Sequence, residues 1–249
     1  MQILKAIIGR IMAAWAALLF IATLLIFMIP FLLFSYWQSD PKKTNRFLIM
    51  ARVWMQVFLN GIGCPLRVTG QQHFKKGENY VVVCNHNSLM DVPISSPFIP
   101  GGNKTIAKVE MAKIPVFGLI YQTGSVLVDR KSEHSRKSSY TKMKNVLAMG
   151  LHMCLYPEGT RNKSDQPIKA FHDGAFRLSI ETGKAVIPAV IFNTRKVLPS
   201  TIPFYLMPHR LYFDFLPPVS PLPNESTASF RDRVHAIMEA HYVQHWKNR

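Results

Sequence analysis

An α/β fold with a mixed, largely parallel sheet flanked by helices, preceded by an N-terminal hydrophobic helical membrane anchor, is what this sequence predicts from three observations. Short β-rich runs alternate with longer helix-like ones from Gly63 onward, the pattern of a layered α/β domain with parallel strands. Clusters of His, Asp, Glu and Arg follow three of those β-rich runs. No charged residue occurs in the 24 positions from Ile11 to Phe34, more than the ~20 a helix needs to cross a hydrocarbon core. The chain therefore divides into membrane-anchoring helical segments over 1–63 and an α/β domain over 64–249, and 249 residues suffice for one sizeable core.

The N-terminal segment has Lys5 and Arg10 before its uncharged run and Trp15, Tyr36 and Trp37 towards its ends, where amphipathic rings favour the membrane interface. A cleaved signal peptide would have a shorter apolar region and a small-residue site after it, and FSYWQSD offers none. A second apolar segment, Phe47 to Gly61, carries Arg52, Gln56 and Asn60 at four-residue spacing, so its polar groups share a narrow helical face. Periodicity leaves three readings open for it: a return through the membrane, a helix in the lipid boundary, or a core helix of the domain. Lys42, Lys43, Arg46 and Arg52 outnumber Lys5 and Arg10, so the positive-inside rule puts the α/β domain on the cytoplasmic side of the cell's inner membrane.

Strands are expected at Leu66–Val68, Tyr80–Cys84, Lys104–Ala107, Ser125–Val128, Met153–Tyr156, Ala185–Phe192 and Leu211–Phe215, where apolar and β-branched residues run between turn signals. Helices are expected at Ser88–Phe98, Glu110–Tyr121, Ser132–Met149 and Gly174–Thr182, the last stopped by Gly183, and a final one runs from about Thr227 to Trp246 with Ser226 as N-cap.

Lys and Arg total 30 against 14 for Asp and Glu, a formal charge of +16, so the chain attracts polyanions. A membrane bilayer accounts for that charge without nucleic acid. Cys64, Cys84 and Cys154 form no CxxC pair and lie beside or within apolar runs, as buried free thiols do. The histidines have no HExxH or CxxC companions, so no metal site is expected, and the absence of GxxxxGK[ST] removes the usual phosphate loop.

His86 follows the second expected strand, Asp129 and Arg130 the fourth, and Glu158-Gly159-Thr160-Arg161 the fifth. Open α/β sheets bind ligands outside the carboxyl ends of their strands, so the three clusters converge on one site. On one continuous helix, His86 and Asp91 would point about 140° apart. If the helix begins near Asn87 or Ser88, His86 can fold back onto Asp91, giving a base and the carboxylate that fixes its tautomer. The structural alternative is a cap at Asn87 or Ser88, with Asp91 complementing the helix dipole. Arg130 at a strand end can offer paired donors to a phosphate, and Lys108 stands between a strand and a helix, also within reach of phosphate. In YPEGTR the proline and glycine shape a loop expected to expose Glu158 and Arg161.

Taken in order, NHNSLMD, GSVLVDR, YPEGTR and VIPAV resemble the four blocks of the glycerolipid acyltransferase (PlsC-like) family. The resemblance extends from about Leu66 to Val197 and includes AKVEMAKIPVFGLI and FHDGAFRLSIETG between the blocks. It implies a catalytic base at His86, its orienting carboxylate at Asp91, and substrate-binding roles for Lys108, Arg130, Glu158, Gly159, Thr160 and Arg161. Pro188 matches the proline of the fourth block. Leu127-Val128 stand where Phe-Ile is frequent, a departure that touches acyl-chain fit rather than chemistry. The implied reaction moves a fatty acyl group from acyl-CoA or acyl-carrier protein to the sn-2 hydroxyl of 1-acylglycerol-3-phosphate (lysophosphatidate), with no metal, cofactor or nucleophilic serine. Backbone N–H groups near the helix start are candidate donors to the thioester oxygen.

Overall fold

The structure, a computed structural model, describes residues 2–129 and 131–249. Two long helices open the chain, α1 (Gln2–Phe34) and α2 (Lys42–Gly61). Then come β1 (Leu66–Thr69), β2 (Val81–Cys84), α3 (Asp91–Ser95), β3 (Asn103–Lys108), α4 (Phe117–Gly124), β4 (Ser125–Val128) and α5 (Glu133–Ala148). β5 (His152–Leu155), α6 (Gly174–Thr182), β6 (Val186–Phe192), α7 (Thr194–Val197), β7 (Leu211–Phe215) and α8 (Thr227–Trp246) complete it. The seven strands form one sheet in the order β1-β7-β6-β2-β5-β3-β4. Its pairs are parallel apart from β6 with β7. The α/β class with a mixed, largely parallel sheet is as the alternating pattern implies.

Alternation along the central strands sorts their side chains into two cores. Val82 and Cys84 of β2, with Ile187, Ala189 and Ile191 of β6, join the apolar cluster that contains α1 and α2. Val81, Val83, Val186 and Val190 face the opposite cluster, closed by Met143, Val146 and Leu147 of α5, Phe176 and Leu178 of α6, and Phe230, Val234 and Met238 of α8. β2 and β6 are buried on both faces, as strands of a covered parallel sheet are.

The helix pair lies lengthwise on its face. Trp15 Nε1 donates to the Gly61 carbonyl at 2.9 Å, Trp54 Nε1 to Thr23 Oγ1 at 3.0 Å, and Ser35 Oγ to the Lys43 carbonyl at 2.8 Å, fixing an antiparallel hairpin. Three further contacts tie it to the α/β body. Leu206 N–H donates to the Gly9 carbonyl at 2.9 Å. Lys104 Nζ of β3 meets Asp40 at the hairpin tip at 2.6 Å, and Arg52 donates to the carbonyls of Pro97 and Ile99 at 2.7 and 3.0 Å. The inner face of α2, including Phe47, Leu48, Ala51, Trp54 and Met55, is buried. The inner side of this segment packs as a core helix does, while Ile49, Val53 and Val57 are left exposed on its outer side. The outer face of α1 is a continuous apolar surface through Ile7, Ile11, Leu18, Leu25, Ile29 and Leu33.

Two expected helices are shorter and broken. The stretch Ser88–Phe98 becomes a turn, α3, and a 3₁₀ turn at Ser96–Phe98, because side-chain acceptors take the N–H groups of residues 87, 88 and 90 and Pro97 has none to give. Glu110–Tyr121 splits into a 3₁₀ turn at Val109–Lys113 and α4. Between them Pro115 and Val116 interrupt the ladder, Val116 adopting φ +63°, a costly conformation for a β-branched residue.

Candidate active site

β2 and β6 are stitched at their carboxyl ends by the Asn85 amide, which donates to the Ile191 carbonyl at 3.0 Å and accepts from Ile191 N–H at 2.7 Å. The side chain thus copies a backbone pairing and delivers the next residue, His86, to the rim of the sheet.

There the chain folds around one carboxylate oxygen. Asp91 Oδ2 accepts from Asn87 N–H at 2.5 Å, from Ser88 N–H at 2.8 Å and from His86 Nδ1 at 2.8 Å. Asp91 is fully buried, whereas the His86 side chain is 19% exposed. With two backbone donors already on Oδ2, the carboxylate serves as an acceptor and Nδ1 carries the proton towards it, leaving Nε2 as the acceptor nitrogen. His86 and Asp91 therefore meet as the fold-back geometry requires, although Asp91 itself opens α3 and the preceding four residues form the turn. The N–H groups of Asn87 and Ser88 are spent on Asp91, so among the backbone donors near the helix start these two are not free for a thioester oxygen.

His86 is fixed through both its ring and its backbone. The Tyr156 ring packs against it with centroids 4.5 Å apart, and the Tyr156 hydroxyl is fixed by Ser95 Oγ at 2.6 Å. Burial keeps that phenol well above its ordinary range, so the ring stays neutral. His86 N–H donates to Glu158 Oε1 at 2.7 Å, and the His86 carbonyl accepts from Asn162 N–H at 2.6 Å. The loop after β5 thus grips both backbone groups of the histidine.

Glu158 is a correction to the expected exposed loop residue, being only 2% exposed. Its second oxygen accepts from Lys169 N–H at 3.2 Å, so both oxygens are used to hold backbone. Burial pushes its carboxyl up to about 7, against the opposing pull of the His86 and Lys169 N–H groups, and the nearby Asp91 adds to the rise. Gly159 takes φ +69°, and a Cβ there would come within 2.9 Å of the His172 ring, which leaves glycine as the residue that fits. Thr160 is exposed and accepts from Lys169 Nζ at 2.9 Å.

A cleft of about 1020 Å³ opens in front of His86 along the carboxyl ends of β5, β3 and β4. Lys108, the last residue of β3, and Arg161 line it, with Gly159 and Thr160 on its floor. Arg130 lies outside the described residues. Lys163, Lys169, Arg136 and His172 line the same cleft, and sequence reasoning missed them as site residues. Their spacing carries no motif of its own; the signal was the general basicity of 131–144 and the FHDG stretch between matched blocks. Among the described residues no group of three or more His, Cys, Asp or Glu side chains is placed to hold a metal.

Val92 borders a second, apolar space of about 90 Å³ between the hairpin and α4, lined by Phe20, Phe47, Trp54, Phe117 and Ile120. A polar, cationic chamber and an apolar crevice therefore touch at one residue beside the dyad.

A largely parallel sheet whose carboxyl rim presents a carboxylate-held histidine to a basic cleft gives an α/β domain in which that histidine can take up a proton beside a bound anion. The chain belongs to the acyltransferase family, whose model, described simply as Acyltransferase, matches residues 65–192. Relatives include the 1-acyl-sn-glycerol-3-phosphate acyltransferases of Borreliella burgdorferi, 27% identical over 63% of this chain and 62% of that one, and of Helicobacter pylori, 27% identical over 67% and 69%. The human 1-acyl-sn-glycerol-3-phosphate acyltransferase alpha is 30% identical over 52% of this chain, which spans 46% of the human protein. The crystal structure of the 1-acyl-sn-glycerophosphate acyltransferase PlsC from Thermotoga maritima shares the fold, with a TM-score of 0.81 over 96% of both chains at 22% identity.

Proposed function

We propose that this protein transfers a fatty acyl group from an acyl thioester, acyl-CoA or acyl-carrier protein, to the sn-2 hydroxyl of 1-acylglycerol-3-phosphate, giving phosphatidate for phospholipid biosynthesis. The observation that carries the reading is the His86–Asp91 contact at 2.8 Å, with the imidazole lining a cleft that also holds Lys108 and Arg161. His86 Nε2 takes the proton of the acceptor hydroxyl as its oxygen attacks the thioester carbonyl. The carbon–sulfur bond then breaks, and the imidazolium returns the proton to the departing thiolate. A positioned base such as His86 contributes roughly 10²–10⁴-fold, and Asp91 fixes its tautomer and stabilises the imidazolium. Lys108, Arg161 and Lys169 hold the phosphate, Arg130 being proposed beside them from the sequence. Glu158 acts on the backbone of His86 and is a positioning residue. The apolar crevice at Val92 takes the first methylenes of the acyl chain, its α4 wall formed by Phe117 and Ile120.

The reading extends to the membrane. α1 is apolar and long enough to cross a bilayer, and only 22% of its most apolar window is covered by protein. Its tie to the body at Gly9, through Leu206, and the tie just beyond its end at Asp40, through Lys104 of β3, bracket the 25 residues from Gly9 to Phe34, about 38 Å along a helix, against a hydrocarbon core of about 30 Å. An upright α1 would drag the attached sheet into hydrocarbon, so the helix pair of residues 1–63 lies along the membrane with its outer face in the lipid boundary. The α/β domain of residues 64–249 then sits on the cytoplasmic face, where acyl thioesters are made.

The test is a reconstituted assay in which acyl-CoA and acyl-carrier protein are each crossed with lysophosphatidate, glycerol-3-phosphate and a phosphate-free lyso-aminolipid. The expected result is turnover with lysophosphatidate at least about tenfold above the phosphate-free acceptor, one charge-assisted contact's worth of discrimination, and above glycerol-3-phosphate, which lacks the acyl chain. Preference for the phosphate-free acceptor would overturn the acceptor and keep the transfer chemistry.

A further inference from the structure

The carboxyl rim of the sheet carries a second hollow. It measures about 580 Å³ and lies above β6, on the other side of the 162–167 loop from the basic cleft. Asn87, the neighbour of His86, lines it, so the two spaces flank the dyad. Its walls are α7 and the end of α8, which contribute Arg195, Lys196, Tyr242, Trp246 and Lys247, with Asp165 as an acidic neighbour on the loop.

Two features of this hollow extend from the core to the surface. Phe192, Tyr242 and Trp246 form a ladder of nearly parallel rings, 15° and 13° apart in plane, that runs from the buried sheet to the surface. The ladder ends in an indole that is 47% exposed. Lys196 Nζ stands over that indole at 5.3 Å, and Lys247 and Arg195 lie around it. A half-exposed indole flanked by cations fits a ligand that is itself flat, aromatic and multiply anionic. The Arg195 guanidinium also donates to the Ser164 carbonyl at 2.8 Å, and Asn162 in the same loop holds the His86 carbonyl. A ligand in the hollow therefore touches the loop that grips the histidine.

We infer that this hollow binds the adenine nucleotide end of coenzyme A, with the purine on Trp246 and the phosphates among Arg195, Lys196 and Lys247, so that the acyl donor and the acceptor approach His86 from opposite sides of the 162–167 loop. The inference rests on the acyl-transfer reading for the identity of the donor. It favours acyl-CoA over acyl-carrier protein, whose phosphopantetheine arm has no nucleotide.

Full-length protein in detergent is titrated with coenzyme A and with adenosine 3′,5′-bisphosphate while tryptophan fluorescence and calorimetric heat are read. Both ligands are expected to quench saturably, and Trp246→Phe to remove the quench while calorimetric binding persists. Lys196→Glu is expected to weaken coenzyme A binding about tenfold and to lower the ratio of acyl-CoA to acyl-phosphopantetheine turnover by about the same factor, with the lysophosphatidate KM unmoved. Trp246→Ala should lower the same ratio, which keeps the test open if Lys196→Glu folds poorly. Coenzyme A binding that is unchanged in both variants, or absent from wild type, overturns the site. So does an effect of Lys196→Glu confined to sedimentation with phosphatidylglycerol vesicles, which would make the cluster a contact for lipid phosphate. Nucleotide binding without acyl transfer to any acceptor would sink the proposed reaction and leave the site standing; transfer indifferent to both variants would do the reverse.

Discussion

The two ends of the β2–β5 pair each hold a histidine packed on a tyrosine ring, and the two imidazoles are put to different uses. At the carboxyl end, His86 lies on Tyr156 and gives one nitrogen to a buried carboxylate, keeping 19% of its side chain exposed to the cleft. At the amino end, His152 stacks on Tyr80 with planes 12° apart, is 5% exposed, and accepts Tyr80 N–H on Nδ1 at 3.0 Å. Burial pushes His152 down to about 4, only partly opposed by its bond to the Pro100 carbonyl. What separates the pair is the partner of Nδ1. A carboxylate stabilises the charged ring and readies the other nitrogen for a proton, whereas a backbone N–H demands a neutral ring and locks it as an acceptor.

The largest expected effect of breaking this contrast is at the carboxyl end. His86→Ala should cost roughly 10³-fold or more in kcat, yet only about 1–2 kcal/mol of stability, because Asp91 Oδ2 keeps its two backbone donors. His152→Ala should do the opposite, leaving turnover per folded molecule near wild type while the orphaned Tyr80 N–H and the vacated space cost about 2–4 kcal/mol. Single-turnover assays and thermal melts on the same preparations read both quantities, and near-normal kcat in His86→Ala would remove the base from the mechanism. Asp91→Asn belongs with His86→Ala. It should lose roughly 10²-fold in kcat, since an amide facing Nδ1 no longer selects the tautomer, and it should also melt earlier.

A smaller effect sharpens the account of the cleft. Arg161→Ala removes one charge-assisted contact, worth about 1.5–3 kcal/mol, so the acceptor KM should rise roughly 10–100-fold while the donor KM moves less than about twofold. Inorganic phosphate should compete with lysophosphatidate in wild type. Equal changes in both KM values would show that Arg161 shapes the cleft rather than binding the acceptor.

These expectations divide along what the sequence made legible. Strand ends were readable because β-branched runs such as Tyr80–Cys84 stop at polar residues, and strand ends place the site in a parallel sheet. That is why His86, Lys108 and Arg161 could be assigned to one rim without coordinates. The role of Glu158 was not readable. The Pro-Glu-Gly turn looks like an exposed loop, and only the approach of the His86 and Lys169 N–H groups, 72 and 11 residues away in sequence, explains its burial. The hairpin was half readable. Apolar length identified α1, but the attachment of α2 to the sheet depends on Arg52 meeting the Pro97 and Ile99 carbonyls and on Asp40 meeting Lys104, pairings that periodicity does not encode. The breaks on either side of α3 and before α4 follow from local competition for backbone N–H groups and from Pro97 and Pro115, which a helical pattern of apolar residues masks.

The last prediction uses the amino-terminal histidine as a titratable control for the first. His152 has a folded value near 4 and an unfolded value near 6.5, so between those pH values the unfolded chain binds the proton and the folded one does not. Stability from this group is complete above about pH 6.5 and is lost as the pH falls towards 4. The two and a half units correspond to about 3 kcal/mol at most, or about 5–10 °C in Tm for a chain of this length. His152→Gln retains a carbonyl acceptor for Tyr80 N–H and has no proton to gain. It should start below wild type at pH 7.5, and the gap between the two melting curves should narrow by that amount on going to pH 4.5, with most of the change between pH 6.5 and 5. Glu158 titrates in part of the same interval, but it is common to both proteins and cancels in the difference. A gap that stays constant with pH would mean that His152 is protonated in the folded protein, and the physical distinction between the two ends of the sheet would be lost.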